Sequence, residues 1–442
     1  MQLHIGIDDF DSPYGMCTTY FGALIVEYLR RLREIKFLDY PYLIRLNPNI
    51  PFKTRGNGAV SLHLNISEVY LDDLIDYLYW GIQEYAELLH GKSDPVIIIS
   101  KGEIPSLFRE IYKKALRELV PYEYVLRLLK KYSDDVEILY LKKGRGVVGA
   151  VASIGAYKLD DFTYELLLYR GVDHRIIGRK IREELLLEID RKYRPYVFAN
   201  FDYSRKRLLA ISHGPDPVLL GIRAINPFIL VDIFWRLIPE VRFERVIIYK
   251  SNQGTNAHLK TTKKIKDIRP YDSVVITGEV VEDPVILKGG HVILKINDGT
   301  GTMTCSVYKQ TGKLNRVAKL LKRGDYVEIG GGVIPFLKHG MTLNTEYIRV
   351  IKVKPIVEHQ NPLCPVCGSR MKSSGKNKGF KCPKCGHRSI SLVKEKKITA
   401  RIIEPGLYIQ SPIAYRHLTR PLELYGTKPE ELNVSVNPLI FL

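Results

Sequence analysis

Long apolar runs are missing from this sequence of 442 residues, and acidic residues are comparatively few. No stretch approaches the roughly 18 consecutive apolar residues typical of a membrane-spanning helix, and the first ten residues lack the basic-then-apolar layout of a signal peptide. These absences predict a cytoplasmic protein without membrane contact. A hydrophobic content of 45% excludes wholesale disorder, and the length predicts three or four domains.

The excess of basic over acidic residues indicates what kind of molecule the protein binds. The chain holds 48 Asp and Glu against 67 Lys and Arg, which gives a formal net charge of +19. Such an excess favours a polyanionic partner, and nucleic acid is the first candidate. The alternative is a generically basic, solvated surface.

Two sets of alternating strand and helix patterns occupy the first 250 residues, each in the order β-α-β-β-α-β that is typical of ferredoxin-like modules. The first set has predicted strands at 3–7, 42–47, 58–66 and 95–100 and helices at 18–35 and 69–89. The second has predicted strands at 163–170, 196–201, 207–212 and 243–250 and helices at 176–193 and from about Val218. We predict that a helical stretch, 104–132, and a small-residue run, 144–156, join the two modules.

The character of the chain changes after residue 260, where five β-rich runs follow one another with glycine-rich connections. One short predicted helix, 314–323, separates the third run from the fourth. This layout is typical of an OB barrel, which binds single-stranded or splayed nucleic acid. A small barrel used for protein contact is the alternative, and the positive charge favours nucleic acid.

Four of the six cysteines follow the spacing C-x2-C-x14-C-x2-C, namely Cys364, Cys367, Cys382 and Cys385. They predict a structural zinc ribbon, because four thiolate ligands leave no open position on the metal. Disulfide bonds are the alternative, which a cytoplasmic location disfavours. The ribbon segment 358–397 carries ten Lys or Arg against two Glu and would suit the phosphates of a folded RNA. Of the remaining cysteines, Cys305 is expected in the barrel core.

Three aspartates stand within four positions after the first predicted strand, namely Asp8, Asp9 and Asp11. Carboxylates between a strand and a helix suit Mg²⁺ carried on phosphates, with Asp8 and Asp11 reaching the ion while Asp9 faces elsewhere. The amides that open the following helix would also attract a phosphate. Ordinary turn and cap chemistry is the alternative. Neither a P-loop nor a protein-kinase signature occurs, so the familiar motifs reveal no ATP site.

Two further polar segments add candidates. The loop RLNPNIPFKTRGNGAV (45–60) offers cations and flexible amides to a triphosphate or an RNA backbone, and a plain hairpin loop is the alternative. The segment SHGPDPVLLGIR (212–223) is interpreted as the end of a strand and the start of a helix, with Asp216 as the N-cap before Pro217. At that edge, His213 and Asp216 could instead hold a small cationic substrate.

Taken together, these segments resemble the archaeal TiaS family of 2-agmatinylcytidine synthetases, which act on an isoleucine tRNA. GIDDFDSPYGMCTTY, RLNPNIPFKTRGNGAV, TYELLLYR, HGPDPVLLGIR and SNQGTNAHL occur in the family's order, and EPGLYIQSPIAYRHLTRPL near the C-terminus fits as well. One departure is Phe10, where the family pattern has Thr. A side chain that flanks the acids is not expected to carry the chemistry.

The resemblance implies an ATP-dependent C–N ligase that attaches agmatine to C2 of the wobble cytidine of the CAU-anticodon isoleucine tRNA, so that the tRNA decodes AUA. The C2 oxygen would be activated by phosphorylation, and the base would leave its stack to reach the site. ATP, magnesium and zinc are the implied cofactors, and a monomer is favoured. Two alternatives remain: a non-catalytic OB-fold and zinc-ribbon binding protein, and an RNA-dependent kinase that stops at phosphorylation.

The resemblance also assigns roles to residues. It places Asp8, Asp9 and Asp11 in a metal and phosphate motif and identifies Thr18 with a threonine that becomes phosphorylated. ATP phosphates are expected at Gly15, Thr19, Lys53, Arg55, Gly56 and Asn57. Candidates for the substrate agmatine are Glu165, Asp202, His213 and Asp216.

The implied fold class is a multidomain α+β chain. It combines an N-terminal α/β kinase-like module, a ferredoxin-like module, an OB-fold β-barrel and a zinc ribbon. The expected domains are 1–140 for the ATP-dependent cytidine kinase-like domain, 141–262 for the ferredoxin-like domain, 263–355 for the OB-fold domain, 356–400 for the zinc ribbon and 401–442 for a C-terminal extension.

Overall fold

The computed structural model describes residues 1–12, 15–85, 93–170, 181–212, 214, 216–336 and 340–427. The described elements form a large mixed sheet with helices on both faces, a β-barrel, a cysteine-bearing ribbon and a C-terminal segment, which confirms the multidomain α+β class. Across these residues, no helix has the length and apolar character that crossing a bilayer requires.

The first module confirms the predicted β-α-β-β-α-β order. Its elements are β1 Gln2–Asp8, α1 Thr18–Arg31, β2 Lys36–Phe37, β3 Tyr42–Arg45, β4 Gly58–Asn65, α2 Leu71–Tyr85, β5 Val96–Lys101, α3 Ser106–Ala115, α4 Tyr122–Leu129, β6 Val136–Tyr140 and α5 Val147–Gly155. The strands lie antiparallel in the order β3-β4-β1-β5-β6, with β2 beside β4. The end of β1 and the starts of β4 and β5 therefore meet at one edge of the sheet.

Helices cover both faces of this sheet. The buried side chains of α1 and α2 share one core with alternate residues of β1, and α3 and α5 share the other core with the opposite face. Helix α5 packs so closely that a Cβ at Gly6 would lie 2.1 Å from the Ala150 carbonyl oxygen. Helix α5 follows the predicted boundary at residue 140 and packs against β1, the strand that ends in the first aspartate.

The second module extends the same sheet. Its elements are β7 Thr163–Tyr169, α6 Glu183–Tyr193, β8 Phe201–Asp202, β9 Arg207–Leu208, β10 Val218–Ala224, α7 Pro227–Leu237 and β11 Arg245–Ser251. Strands β10, β7 and β11 are antiparallel neighbours, and β11 runs parallel to β3 with Ser251 opposite Leu43. The two modules therefore share one sheet of nine strands, which the sequence patterns did not indicate.

The helix predicted from about Val218 is wrong, because Val218–Ala224 is strand β10. Asp216 does not cap a helix: its Oδ1 accepts the Val218 amide at 3.1 Å, and the chain then enters the strand. The helix begins at Pro227, where the Asn226 side chain accepts the Phe228 amide at 2.8 Å. A short apolar run is compatible with strand or helix, and pairing with β7 selects the strand.

The barrel confirms the five predicted strands and the helix between the third and fourth, and adds a two-residue strand. Its elements are β12 Ser273–Val280, β13 Val285–Ile286, β14 Val292–Asn297, β15 Thr302–Val307, α8 Lys313–Leu320, β16 Tyr326–Phe336 and β17 Gly340–Lys352. Strand β12 pairs with both β16 and β14, which closes the barrel around a core that includes Cys305, as predicted.

A ribbon and a returning segment complete the described chain. Their strands are β18 Ile356–Gln360, β19 Lys372–Ser373, β20 Phe380–Lys381, β21 Arg388–Ser389, β22 Glu395–Thr399 and β23 Gly406–Ile409. Strand β23 joins the barrel beside β17, and the chain then reaches back to the sheet. There, the Gly254 amide donates to the His417 carbonyl at 3.0 Å.

Candidate active site

The three aspartates lie at the edge of the sheet where β1 ends. Asp8 is the last residue of β1, and its Oδ1 accepts the Asp9 amide at 2.7 Å. Asp9 has a φ of 64°, a left-handed conformation that Asp tolerates better than most residues. The chain therefore turns sharply after Asp8, and Asp9 and Asp11 face different partners.

Two arginines and a threonine bind these carboxylates. Arg145 Nη2 lies 2.8 Å from Asp9 Oδ2, and Arg55 Nη1 lies 3.6 Å from Asp11 Oδ1. The Thr54 hydroxyl lies 3.2 Å from both Asp9 Oδ1 and Asp11 Oδ2, and its one proton serves one of them at a time. Part of the positive charge that the aspartates require therefore comes from the protein itself.

Burial raises the pKa of all three carboxyl groups. The pKa of Asp9 rises to about 6 although Arg145 opposes the rise, and burial followed by the negative charge of Asp9 raises the pKa of Asp8. Burial is also the main cause for Asp11, against the influence of Arg55 and Arg45. A nearby cation would stabilise the ionised form of these buried carboxyl groups. A divalent ion that takes one or two carboxylate ligands meets this requirement.

A cavity of about 460 Å³ opens beside Asp8 and Asp9. Polar residues of its lining include Lys53, Asn57 and Arg145. Its apolar lining comprises Leu46, Ile50, Phe52, Leu119, Val120 and other residues. Eight charged residues also line it, namely Asp8, Asp9, Lys53, Asp94, Glu118, Glu123, Lys143 and Arg145. A cavity of this size, with apolar walls next to charged groups, suits a nucleotide, because the base packs on apolar surface and the phosphates need polar partners.

The loop between β3 and β4 forms a wall between this cavity and a smaller one of about 290 Å³, and Lys53 lines both. Burial and the nearby Arg416 lower the pKa of Lys53. A Cβ at Gly56 would lie 2.7 Å from Arg45 Nη1 and 2.8 Å from His417 Nε2, so this position suits glycine. Arg55 and Asn57 have φ values of 37° and 51°, and such strained backbone often accompanies a binding site.

The predicted residues at the start of α1 lie beneath the aspartate loop. The Thr18 side chain is buried, its Oγ1 accepts the Phe10 amide at 3.3 Å, and it is not among the residues that line the 460 Å³ cavity. The Thr19 carbonyl accepts the Tyr249 hydroxyl at 2.6 Å, and Gly15 has a φ of 144° that favours glycine. Phe10 is fully buried and stacks on Phe21, with ring centroids 4.3 Å apart.

The candidates for agmatine differ in their partners. Glu165 accepts Arg223 Nε at 3.1 Å and Gln253 Nε2 at 2.5 Å, and Asp202 accepts the Ser204 and Ile413 amides. Asp216 joins the aspartate loop, because its Oδ2 lies 3.1 Å from the Arg55 guanidinium that also faces Asp11. His213 lies outside the described residues.

Sequence reasoning missed three residues of the site, Thr54, Asp94 and Arg145. Asp94 holds Arg145 in place, since its carboxylate accepts the amides of Gly144 and Arg145 at 3.0 and 3.2 Å. Its own amide donates to Asp9 Oδ2 at 3.1 Å. The sequence GRG at 144–146 was interpreted as part of a connection. Three neighbouring acids need a positive partner, and this need was the one signal in the sequence that could have pointed to Arg145.

The four ribbon cysteines form a metal site. Their sulfur atoms all lie within 4.8 Å of one another, and no disulfide joins them. This arrangement confirms the predicted four-thiolate zinc ribbon and excludes the disulfide alternative. The three aspartates do not form a comparable cluster, since in the described part of the chain only the cysteines gather three or more candidate ligands. Cys17 is buried, and burial raises the pKa of its thiol to about 12.

Models of known protein families match four segments. Residues 4–140 match the TiaS TCKD domain, and residues 144–258 match the TiaS FLD domain. Residues 274–351 match an OB-fold nucleic acid binding domain, and residues 361–403 match the TiaS C-terminal zinc ribbon domain. Three of the four models therefore come from the same family.

Curated relatives match along nearly the whole chain. The isoleucine-tRNA 2-agmatinylcytidine synthetase TiaS of Thermofilum pendens is 50% identical over 431 residues, which cover 97% of this chain and 96% of the relative. The protein of the same name from Pyrococcus horikoshii is 40% identical over 439 residues, which cover 99% and 100%.

Solved structures agree with this result. The complex of TiaS with an isoleucine tRNA and ATP has a TM-score of 0.83 at 33% identity, and the match covers 99% of this chain and 100% of the other. The complex of TiaS with the same tRNA, AMPCPP and agmatine has a TM-score of 0.81 at 31% identity and covers 98% and 99%. The agreement extends from the first strand to the returning C-terminal segment, and the chain belongs to the TiaS family.

Proposed function

We propose that this protein attaches agmatine to C2 of the wobble cytidine of the CAU-anticodon isoleucine tRNA and consumes ATP in doing so. The observation that carries the proposal is the group of buried carboxylates and arginines beside the 460 Å³ cavity. A protein that only binds nucleic acid gains nothing from placing carboxylates where its anionic ligand sits. The curated relatives are named for 2-agmatinylcytidine synthesis on an isoleucine tRNA, which supports the proposal.

The chemistry explains why ATP is needed. The C2 oxygen of cytidine is a very poor leaving group until a phosphoryl group is attached to it. The primary amine of agmatine then forms a bond to C2, the C2–O bond breaks, and phosphate leaves with the oxygen while the amine gives up a proton. Phosphoryl transfer depends on positioning and electrostatics, which the charged loops around the cavity supply.

Magnesium would be held by Asp8 and Asp11, together with phosphate oxygens and water. Within the described residues Asp8 accepts only the Asp9 amide, through Oδ1, and makes no ion pair. Its other oxygen, Oδ2, lies against Gly149 and is the one left for an ion. When bound, the ion would neutralise charge on the phosphates. Asp9 is paired with Arg145 but lines the 460 Å³ cavity beside Asp8, whereas Asp11 is not among the residues that line it.

The remaining roles follow from position and charge. Lys53, Arg55 and Arg145 would contact phosphates, and the amides near Gly15 and Thr19 would support them. Thr18 would have to leave its buried position to accept a phosphoryl group. We assign the agmatine guanidinium to Asp216, because among the described candidates it is the one that shares a partner, Arg55, with Asp11 of the aspartate loop. The barrel and the ribbon would bind the tRNA.

One incubation tests the proposal. The protein is mixed with Mg-ATP, agmatine and a CAU-anticodon isoleucine tRNA transcript, and the nucleosides are analysed by mass spectrometry. We expect a cytidine that gains the mass of agmatine less water, and we expect Asp8→Asn to abolish it. Asp76→Asn, on the exposed face of α2, is the matched control and should behave as wild type.

Two other outcomes would contradict the proposal. An unmodified cytidine together with tight tRNA binding would favour the non-catalytic binding protein. Phosphate transfer to the tRNA that proceeds equally without agmatine, and stops there, would favour the RNA-dependent kinase.

A further inference from the structure

The Arg55 guanidinium lies between carboxylates of two modules. Its Nη1 is 3.1 Å from Asp216 Oδ2 and 3.6 Å from Asp11 Oδ1, and its Nη2 donates to the Ser12 carbonyl at 2.5 Å. The Arg55 side chain is 28% exposed, whereas the Asp216 side chain is only 10% exposed. One positive charge therefore serves two carboxylates, and the arginine is the more accessible member of its pair with Asp216.

Asp216 is suited to a guanidinium, because the structure already places one on it. The Ser212 hydroxyl donates to Asp216 at 3.0 Å and the Val218 amide at 3.1 Å, and these bonds fix the carboxylate at the start of β10. Agmatine carries a guanidinium of the same shape as the side chain of arginine. An arriving agmatine would therefore compete with Arg55 for the same carboxylate.

Two cavities lie beside the loop that carries Arg55. The two residues before it, Lys53 and Thr54, line the 460 Å³ cavity, and Arg55 itself lines the 290 Å³ cavity, so its side chain has room to move. A guanidinium binds phosphate oxygens with two parallel hydrogen bonds, which are stronger than ordinary ones. Phosphates that enter beside Asp8 and Asp9 would therefore attract it.

We propose that Arg55 exchanges Asp216 for a nucleotide phosphate when ATP binds, and that this exchange gives Asp216 to the guanidinium of agmatine. The inference rests on the proposed function and adds an order to it: the amine is admitted after the phosphoryl donor. Thermodynamic linkage requires the effect to be reciprocal, so agmatine strengthens nucleotide binding by the same factor. Coupling of this kind typically amounts to about 5- to 150-fold.

Calorimetric titration of agmatine into the full-length protein tests the exchange without tRNA present. We expect the agmatine Kd of the wild type to fall at least fivefold when a non-hydrolysable ATP analogue and Mg²⁺ are present. Arg55→Ala should bind agmatine more tightly than wild type in the absence of nucleotide, and the analogue should no longer change its affinity. Asp216→Asn should lose agmatine binding in both states.

Two further variants complete the test. Arg182→Ala removes an exposed arginine that pairs with Glu240 in the second module, and it should retain the wild-type coupling. Arg55→Lys keeps the charge but cannot form two parallel hydrogen bonds to a phosphate. The coupling between nucleotide and agmatine binding should therefore be reduced while the fold is preserved. A gain of agmatine affinity in Arg55→Ala is a readout that a merely structural role would not produce.

Other results would overturn the exchange. Equal agmatine affinity of the wild type with and without the analogue would do so, as would weaker agmatine binding by Arg55→Ala in the absence of nucleotide. Failure of the proposed function looks different, because the wild type would then form no agmatinylated cytidine in the tRNA assay. An active wild type without coupling would leave the function in place and remove only the exchange.

Discussion

Arg145 and Asp9 are 136 positions apart in the sequence, yet Arg145 Nη2 and Nε lie 2.8 and 3.2 Å from the same oxygen of Asp9. Burial raises the pKa of Asp9 to about 6, and Arg145 is the strongest influence against this rise. The guanidinium therefore favours the ionised form of Asp9 near neutral pH and holds the turn that follows Asp8 at the end of β1.

Removing this arginine should reduce activity and shift its pH dependence. Arg145→Ala should lower kcat/KM for tRNA modification by about 10- to 100-fold, because it removes both charge-assisted hydrogen bonds from Arg145 to Asp9. Without the cation the pKa of Asp9 rises further, so the acidic limb of the pH–rate profile should move to higher pH. Initial rates between pH 5.5 and 8.5 measure both effects. A lower rate with an unshifted acidic limb would contradict this role for Arg145.

Gly149 leaves room for Asp8, because a Cβ there would lie 1.8 Å from Asp8 Oδ2. Gly149→Ala should displace the carboxylate and reduce ATP-dependent modification by at least tenfold. The same change favours the helical state of α5 by about 0.5–1 kcal/mol, so the melting temperature should change little. Thermal melts and product formation on one protein preparation separate the two effects. Full activity would show that Asp8 is not needed in this position.

A buried histidine pair should weaken the fold in acid. His4 Nδ1 lies 2.8 Å from His63 Nδ1; burial lowers the pKa of His4 to about 4, and burial followed by the charge of His4 lowers that of His63 well below its usual value. The unfolded side chains take up protons near pH 6.5, whereas the folded pair resists them. The stability that this pair contributes is therefore complete above about pH 6.5 and is lost as the pH falls towards 4, by about 3 kcal/mol for His4 alone.

Urea unfolding at pH 7 and pH 4.5 measures this loss. His63→Asn should reduce the difference between the two pH values, and His359→Asn, on the exposed strand β18, should leave it unchanged. An equal pH dependence in His63→Asn and wild type would assign the acid sensitivity to other groups.

Zinc removal should affect tRNA binding and leave the nucleotide site intact. The small core of the ribbon consists of Cys364, Met371, Phe380 and Cys382, so the ribbon cannot pack once its ligands separate. Chelation or Cys382→Ser should weaken tRNA affinity roughly tenfold or more, because the basic residues of the ribbon lose their arrangement. Nucleotide affinity should not change. Filter binding measures the first and calorimetry the second.

The control for zinc is His387→Asn, which removes a nearby imidazole that the four-cysteine site does not require. It should retain both zinc and tRNA affinity. Unchanged tRNA affinity after complete zinc removal would show that the ribbon is not part of the RNA-binding surface.

Much of the fold was predictable because its signals are local. The periodicity of the first module gave its strands and helices in the right order, and the spacing of four cysteines gave the ribbon. The prediction of a helix was wrong for Val218–Ala224, which is a strand. An apolar run after Asp-Pro suits either a strand or a helix until a neighbouring strand is known. The expected cap pattern does occur, ten residues later at Asn226 and Pro227.

The site was harder to predict than the fold, because its partners come from distant segments. Asp8, Asp9 and Asp11 stood out as neighbours of like charge, but nothing in the sequence connects them to Arg145 or Asp94. The contact between Arg55 and Asp216 links two predicted modules and depends on a sheet that the patterns did not reveal.

The pairing of Ser251 with Leu43 has a mechanical consequence. Two modules that share backbone hydrogen bonds form one rigid plate, and they cannot swing about a hinge unless those bonds break. Any movement that lets a tRNA enter must therefore come from the loops at the end of the sheet, or from the barrel and the returning C-terminal segment. Within the sheet, the exchange that we propose needs no movement of one module against the other, because rotation of the Arg55 side chain is enough.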